Sequence, residues 1–131
     1  MSSLHLLFSH KLTDDQLRDA QENLSVTEFI PLPETLQKLW SQIPPENELD
    51  EDIIEQFTQY LSSEVAEGDY VLIQGEFGMT FYFADWCLKN NRIPIYATSK
   101  RISSEYIAND GSVKKLNVFK HIQFRKYKEA K

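Results

Sequence analysis

Two short apolar runs, Leu4-His5-Leu6-Leu7-Phe8 and Tyr70-Val71-Leu72-Ile73-Gln74, are almost unbroken by polar residues. A strand that shows one face to water alternates, whereas a strand covered on both faces reads as a continuous hydrophobic run. Strands of the second kind need helices on either side of their sheet, which commits the chain to a layered α/β fold.

The segments between the runs supply those helices. Thr13-Asp14-Asp15-Gln16 has capping-box spacing and predicts a helix from about Asp14 to Asn23. Val26 to Leu32 is rich in β-formers and is bounded by Pro31 and Pro33. Pro33 suits a helix start, and Leu36, Leu39, Trp40 and Ile43 share one helical stripe before Pro44-Pro45. Acidic residues from Glu46 to Asp52 lead into a further helix through Ile53, Phe57, Leu61 and Val65, where negative charge favours the N-terminus. A helix from about Met79 to Lys89 and a strand from Ile93 to Thr98 follow, with Pro94 marking a strand start or a sheet edge. Ser103 to Ala108 and Val113 to Phe124 flank Asn109-Asp110-Gly111-Ser112, a strong turn signal. The expected fold is α/β, a doubly wound, mainly parallel sheet with a C-terminal β-hairpin.

A length of 131 residues suits a single domain spanning 1–131, and 41% hydrophobic with 26% charged residues is ordinary for a globular chain. No apolar run approaches the roughly 20 residues of a membrane span, so no membrane partner is expected. Met1-Ser2-Ser3-Leu4-His5 lacks the basic start of a signal peptide, and a cytoplasmic location is expected. The lone Cys87 sits in an amphipathic run and suits a buried apolar position better than a nucleophile.

Net charge is −6, but it is unevenly spread. Residues 1–70 hold 15 acidic and 3 basic side chains, a balance of −12, while residues 71–131 hold 5 and 11, a balance of +6. The overall sign argues against DNA as a partner; the basic half can still meet an anion, or pair with the acidic half.

In open α/β sheets, ligands bind beyond the carboxyl ends of the strands, where strand order reverses. With the first strand central beside Tyr70–Gln74, three segments are expected there: Ser9-His10-Lys11-Leu12, Gln74-Gly75-Glu76-Phe77-Gly78 and Thr98-Ser99-Lys100-Arg101. Gly75 and Gly78 would let the backbone approach a phosphate, although they equally suit a tight turn without a ligand. Lys100-Arg101 would clamp phosphate or simply face solvent. His10 would move protons near neutral pH. His5, His10 and His121 show no metal-ligand spacing, so neither a metal nor another cofactor is expected. Lys114, Lys115, Lys120, His121, Arg125, Lys126 and Lys128 interleave with Val118, Phe119, Ile122, Phe124 and Tyr127. This gives the hairpin one apolar and one basic face, to cover an anionic ligand, meet the acidic half of a second subunit, or guard a solvated edge.

Five blocks carry a resemblance over nearly the whole chain. They are Leu6-Leu7-Phe8-Ser9-His10-Lys11-Leu12-Thr13, Leu39-Trp40-Ser41-Gln42-Ile43-Pro44-Pro45, Gly68 to Gly78, Ile93 to Arg101, and Val118 to Tyr127. In them the chain resembles a small family of CRISPR-associated proteins, the twentieth of the Csx accessory series found with type III systems.

The resemblance implies a Rossmann-like fold, a homodimer, and ring-nuclease activity that linearises a cyclic oligoadenylate messenger and ends antiviral signalling. It implies a metal-independent cut, in which a ribose 2′-hydroxyl attacks the neighbouring phosphate. On that expectation His10, Lys100, Arg101 and Ser9 are the catalytic candidates. Lys11, Gln74, Gly75, Glu76, Phe77, Gly78, Thr98 and Ser99 are the ligand-binding ones. Cyclic tetra-adenylate matches a two-fold dimer. Two other readings stay open: a protein that sequesters the messenger without cutting it, and an interaction module of a CRISPR effector.

Overall fold

The computed structural model describes residues 2–131; Met1, part of the N-terminal reading above, lies outside them. They form five strands and four helices in the order β1 (Ser2–Leu7), α1 (Asp14–Asn23), β2 (Val26–Pro31), α2 (Glu34–Ser41), α3 (Glu51–Glu64), β3 (Tyr70–Ile73), α4 (Phe77–Lys89), β4 (Ile93–Ile107), β5 (Val113–Lys126). The strands make one sheet of order β2-β1-β3-β4-β5, parallel except for the antiparallel β4–β5 pair. β1 lies centrally beside β3, in register Leu4↔Tyr70 to Leu7↔Ile73. The chain steps from β1 outward to β2, and from β3 outward the other way to β4, so strand order reverses between β1 and β3.

Alternation along β3 divides the core between the two sheet faces. Val71 and Ile73 pack with Leu7 of β1 and with Trp40, Phe57, Leu61, Phe83 and Cys87 from α2, α3 and α4. Leu72 packs on the opposite side with Leu4, Ala20 and Ile95, beneath α1. The larger layer is knit by edge-on aromatic contacts, Trp40–Phe57 at 5.3 Å and Phe57–Phe83 at 6.0 Å. Cys87 is fully buried in it, and burial pushes its thiol up to about 12, with Arg92 partly opposing.

The starts of α1 and α3 are those the sequence prescribes. Gln16 N donates to Thr13 Oγ1 at 3.2 Å while Thr13 N donates to Gln16 Oε1 at 2.9 Å, a complete capping box. Asp50 Oδ1 accepts from Asp52 N at 2.8 Å, ending the acidic loop and starting α3. α4 begins at Phe77, two residues before the expected Met79, because Glu76 caps it. Pro94 sits at the second residue of β4, where a missing N–H is least costly. None of the helices among the described residues is long and apolar enough to cross a membrane.

The largest departure is β4. Its two expected pieces, Ile93–Thr98 and Ser103–Ala108, are one continuous strand. The polar residues between them stay extended because β5 pairs with them throughout, from Ile95↔Lys126 to Ile107↔Val113. The turn closes with Gly111 N donating to Ala108 O at 2.9 Å, and Gly111 has φ +84, which glycine tolerates freely. Beyond β3 the β4–β5 ribbon is a two-stranded arm whose residues from Arg101 to Ile107 and from Val113 to Lys120 are exposed.

One irregularity shapes that arm. Thr98 pairs with Gln123 and Ser99 with His121, which leaves Ile122 without a partner, a β-bulge. Beyond it, Lys100/Lys120, Ile102/Val118, Ser104/Leu116 and Tyr106/Lys114 share one face. Arg101/Phe119, Ser103/Asn117, Glu105/Lys115 and Ile107/Val113 share the other. The expected division into one apolar and one basic face is therefore corrected, since both faces mix the two classes.

Candidate functional site

Strand order reverses between β1 and β3, and in open α/β sheets ligands bind beyond the carboxyl ends of the strands at such a point. Ser9–Lys11 leaves β1 there, Gln74–Gly78 leaves β3, and β4 runs past both. Gln74 ties β1, α2 and β4 together at this end of the sheet. Its N–H donates to Leu7 O at 3.2 Å, its carbonyl accepts from Trp40 Nε1 at 3.0 Å, and its side-chain Oε1 accepts from Ala97 N at 2.7 Å. Gln37 Nε2 donates to Ser9 O at 3.5 Å, joining α2 to the first loop.

Within this framework each expected residue has a definite place. His10 and Lys11 are exposed, and the His10 ring stands edge-on to Phe8 at 5.4 Å. They line a groove of about 380 Å³ with Leu6, Leu17, Phe29 and Gln37. Ser9 borders a neighbouring groove of about 290 Å³ with Glu34, Gln37, Lys38 and Ser41. This end of the sheet is thus apolar at its floor, with His10, Lys11, Lys38, the Gln37 amide and the Glu34 carboxylate at its rim.

The second segment has structural duties the sequence does not announce. A Cβ on Gly75 would lie 2.5 Å from Trp40 Nε1, so Gly75 is glycine to admit the indole. A Cβ on Gly78 would lie 2.9 Å from Leu49 Cδ1, the end of a side chain that can turn aside. Glu76 Oε1 accepts from Met79 N at 2.8 Å, placing a carboxylate where an α4-bound phosphate would sit. Gln74 spends its amide oxygen on Ala97. Phe77 is 93% exposed.

The third segment is not a loop. Thr98, Ser99, Lys100 and Arg101 lie within β4, and successive side chains of a strand point to opposite faces. Lys100 and Arg101 therefore cannot clamp one phosphate between them. Thr98 Oγ1 donates to Gln123 O at 3.0 Å, and Ser99 stands opposite His121 at the bulge. Lys100 instead has Lys120 directly across the ribbon. This cation pair escapes a linear reading because the two are twenty residues apart.

Two His–Asp pairs were also hidden. His121 Nε2 meets Asp19 Oδ2 at 2.7 Å, fastening the root of the arm to α1. His5, 3% exposed, meets Asp69 Oδ2 at 3.1 Å, and the same carboxylate oxygen accepts from Ala66 N at 3.2 Å. Trp40 and Gln37 likewise prove to hold the loops, a role no spacing signals. Among the described residues, no group of three or more His, Cys, Asp and Glu side chains gathers as a metal ion would require.

No solved structure matches the chain significantly. A protein of Methanocaldococcus jannaschii described as uncharacterized protein MJ1673 is 47% identical over 127 residues, covering 97% of this chain and 98% of its own length. The family model described as the uncharacterized protein MJ1673 family matches residues 2–125. An identity that high, over nearly the full length of both sequences and with the arm included, makes this chain a member of the MJ1673 family.

Proposed function

We propose that the chain is a ring nuclease, binding a cyclic oligoadenylate and opening it by attack of a ribose 2′-hydroxyl. The observation that carries the proposal is the bonding of Gln74, the first residue after β3, to Leu7 at the end of β1, to Trp40 of α2 and to Ala97 of β4, at the end of the sheet where strand order reverses. The resemblance to type III CRISPR accessory proteins supports the substrate class, and with it a Rossmann-like, doubly wound classification, a cytoplasmic setting and a homodimer.

In this proposal the groove beside His10 takes an adenine, with Phe29 on its floor and Gln37 at its rim. Lys100 and Lys120, on the α4 side of the sheet, meet a phosphate of the ligand that extends past the end of β3 from the His10 groove on the α1 side. His10 accepts the 2′-hydroxyl proton as the 2′-oxygen bonds to phosphorus, and the bond to the 5′-oxygen breaks. That oxygen takes up a proton, leaving a 2′,3′-cyclic phosphate and a 5′-hydroxyl. Alignment of the 2′-oxygen with the leaving oxygen supplies much of the rate, and a positioned acid–base group adds about 100–10,000-fold. Ser9 and Lys11 orient the ribose and its phosphate.

A second reading, binding without cutting, is favoured by one specific feature. The alternation of β4 turns Arg101 away from the face that Lys100 occupies, which thins the cationic set around any one phosphate.

The decisive experiment incubates cyclic tetra-adenylate with the wild type, His10→Ala and Lys100→Ala in EDTA, and resolves the nucleotides by chromatography. Linear product from the wild type alone is expected. Equal cutting by all three would overturn the site, and quantitative recovery of intact ring from a tight wild-type complex would establish the second reading.

A further inference from the structure

The β4–β5 arm and helix α4 share a property that the ligand site does not use. Ile102 is 44% exposed, Val118 48%, Leu116 51% and Tyr106 53%, all on one face of the arm. On α4, Phe77 and Phe81 are 93% and 75% exposed. Phe77, Phe81, Ala84 and Leu88 recur at helical spacing and form, with Tyr127, one wall of a groove of about 460 Å³. Contiguous apolar surface of this kind marks an interface. A two-stranded ribbon without packing on either face is also marginal in water.

The root of the arm and α4 share a side of the sheet. Tyr96 packs on Tyr127 at 4.8 Å, on the side of α4. Alternation along β4 puts Lys100, Ile102 and Tyr106 in one row with Tyr96, and the bulge and the twist of a two-stranded ribbon turn that row progressively away from its own α4. One apolar ridge and one apolar groove that do not face each other within a chain are what a two-fold axis pairs with their copies, ridge to groove twice over.

We propose that the arm of one copy docks by its Ile102–Val118–Leu116–Tyr106 face into the α4 groove of a second copy, and receives the partner's arm in return. The charges fit. That face of the arm carries lysines and no acidic residue, Glu105 being on the other face. The groove is bordered by Asp85 and Glu129, with Lys128, and Glu76 sits at the start of α4. Asp85 is held only by Lys89 at 2.8 Å in an exposed pair, which is readily exchanged for Lys114 of another copy.

The area fits as well. At about 150–250 Å² for a whole aromatic side chain, Phe77 and Phe81 offer roughly 300 Å². The four arm residues offer a comparable amount, so ridge and groove together give each copy roughly 600 Å², the larger part of the about 800 Å² per partner in a standard interface. Pairing through the free edge of β5 is disfavoured by Lys114, Lys115, Lys120 and Lys126 along it, the usual guard against strand addition.

The docking face has at its root Lys100 and Lys120, the pair that the proposed function gives to the phosphate, so the test uses no ligand and reads association alone. Sedimentation equilibrium of the full chain between 1 and 100 µM should give twice the 15.3 kDa chain mass. Ile102→Glu and Phe81→Glu should each weaken the dimer at least tenfold, while circular dichroism and melting stay those of a folded chain. In a Cys87→Ala background, oxidising a mixture of Val118→Cys and Phe81→Cys chains should give more disulfide-linked dimer than either alone. A monomer at 100 µM, a dimer indifferent to both glutamates, or cross-linking no better in the mixture would each overturn the proposal.

Discussion

Lys100 and Lys120 stand directly across from each other on the antiparallel arm, just beyond the bulge that separates it from the sheet. Like charges opposed on neighbouring strands repel, and the arrangement costs a few tenths of a kcal/mol unless an anion lies between them. Lys120→Ala should therefore leave thermal stability unchanged or slightly raised, while weakening cyclic tetra-adenylate binding about tenfold, equivalent to about 1.4 kcal/mol. Calorimetry at two salt concentrations checks this, and the variant should also show the shallower salt dependence. Unchanged affinity would remove the pair from the site.

Glu76 offers a test with opposite signs in its two readouts. Its carboxylate caps α4 through Met79 N, so Glu76→Ala should cost about 1 kcal/mol of stability. The same change removes negative charge from a helix N-terminus, and anion affinity should rise. Denaturant unfolding and calorimetry on one preparation measure both, and a loss of affinity alongside the stability loss would show that Glu76 contacts the ligand.

Gly75 is constrained by Trp40 and not by a left-handed backbone. A methyl group there would meet the indole at 2.5 Å, and overpacking of this kind costs about 1–3 kcal/mol. Gly75→Ala should melt several degrees below the wild type and shift Trp40 fluorescence. The double variant Gly75→Ala/Trp40→Phe should recover part of that loss, because the smaller ring withdraws the clashing atoms.

The thiol of Cys87 is pushed from 9.0 to about 12 by burial. A group whose folded value lies above its unfolded value stabilises fully below the unfolded value, and the contribution is lost as pH rises towards the folded one. Stability should accordingly fall between about pH 9 and 12. Cys87→Ala should flatten the start of that decline, leaving the part above pH 10 to Tyr60 and Tyr127, both also raised by burial. Urea midpoints at closely spaced pH values check this. The same burial should keep Cys87 silent to thiol reagents until the chain unfolds.

What could be read from the chain is what local chemistry controls. Thr13 and Gln16 cap each other three residues apart, and the apolar runs of β1 and β3 declare their double burial without outside help. The central position of β1 beside β3 followed from the same runs. The arm was misread because Thr98 to Ser104 is polar and lacks strand alternation, and only pairing with β5 holds it extended. For the same reason Lys100 and Arg101 looked like neighbours in a turn, although the strand turns them apart. Gly75 looked like a phosphate glycine because its true partner, Trp40, enters from thirty-five positions earlier.

The unpaired Ile122 has a consequence for the whole arm. It adds a bend and extra twist where the arm leaves the sheet. Were Ile122 excised, Thr98/Gln123 and Ser99/His121 would become consecutive couples of a regular ladder, and every couple beyond them would keep its partner. A single deletion far from the tip would thus re-aim the whole projection while leaving the makeup of its surface intact.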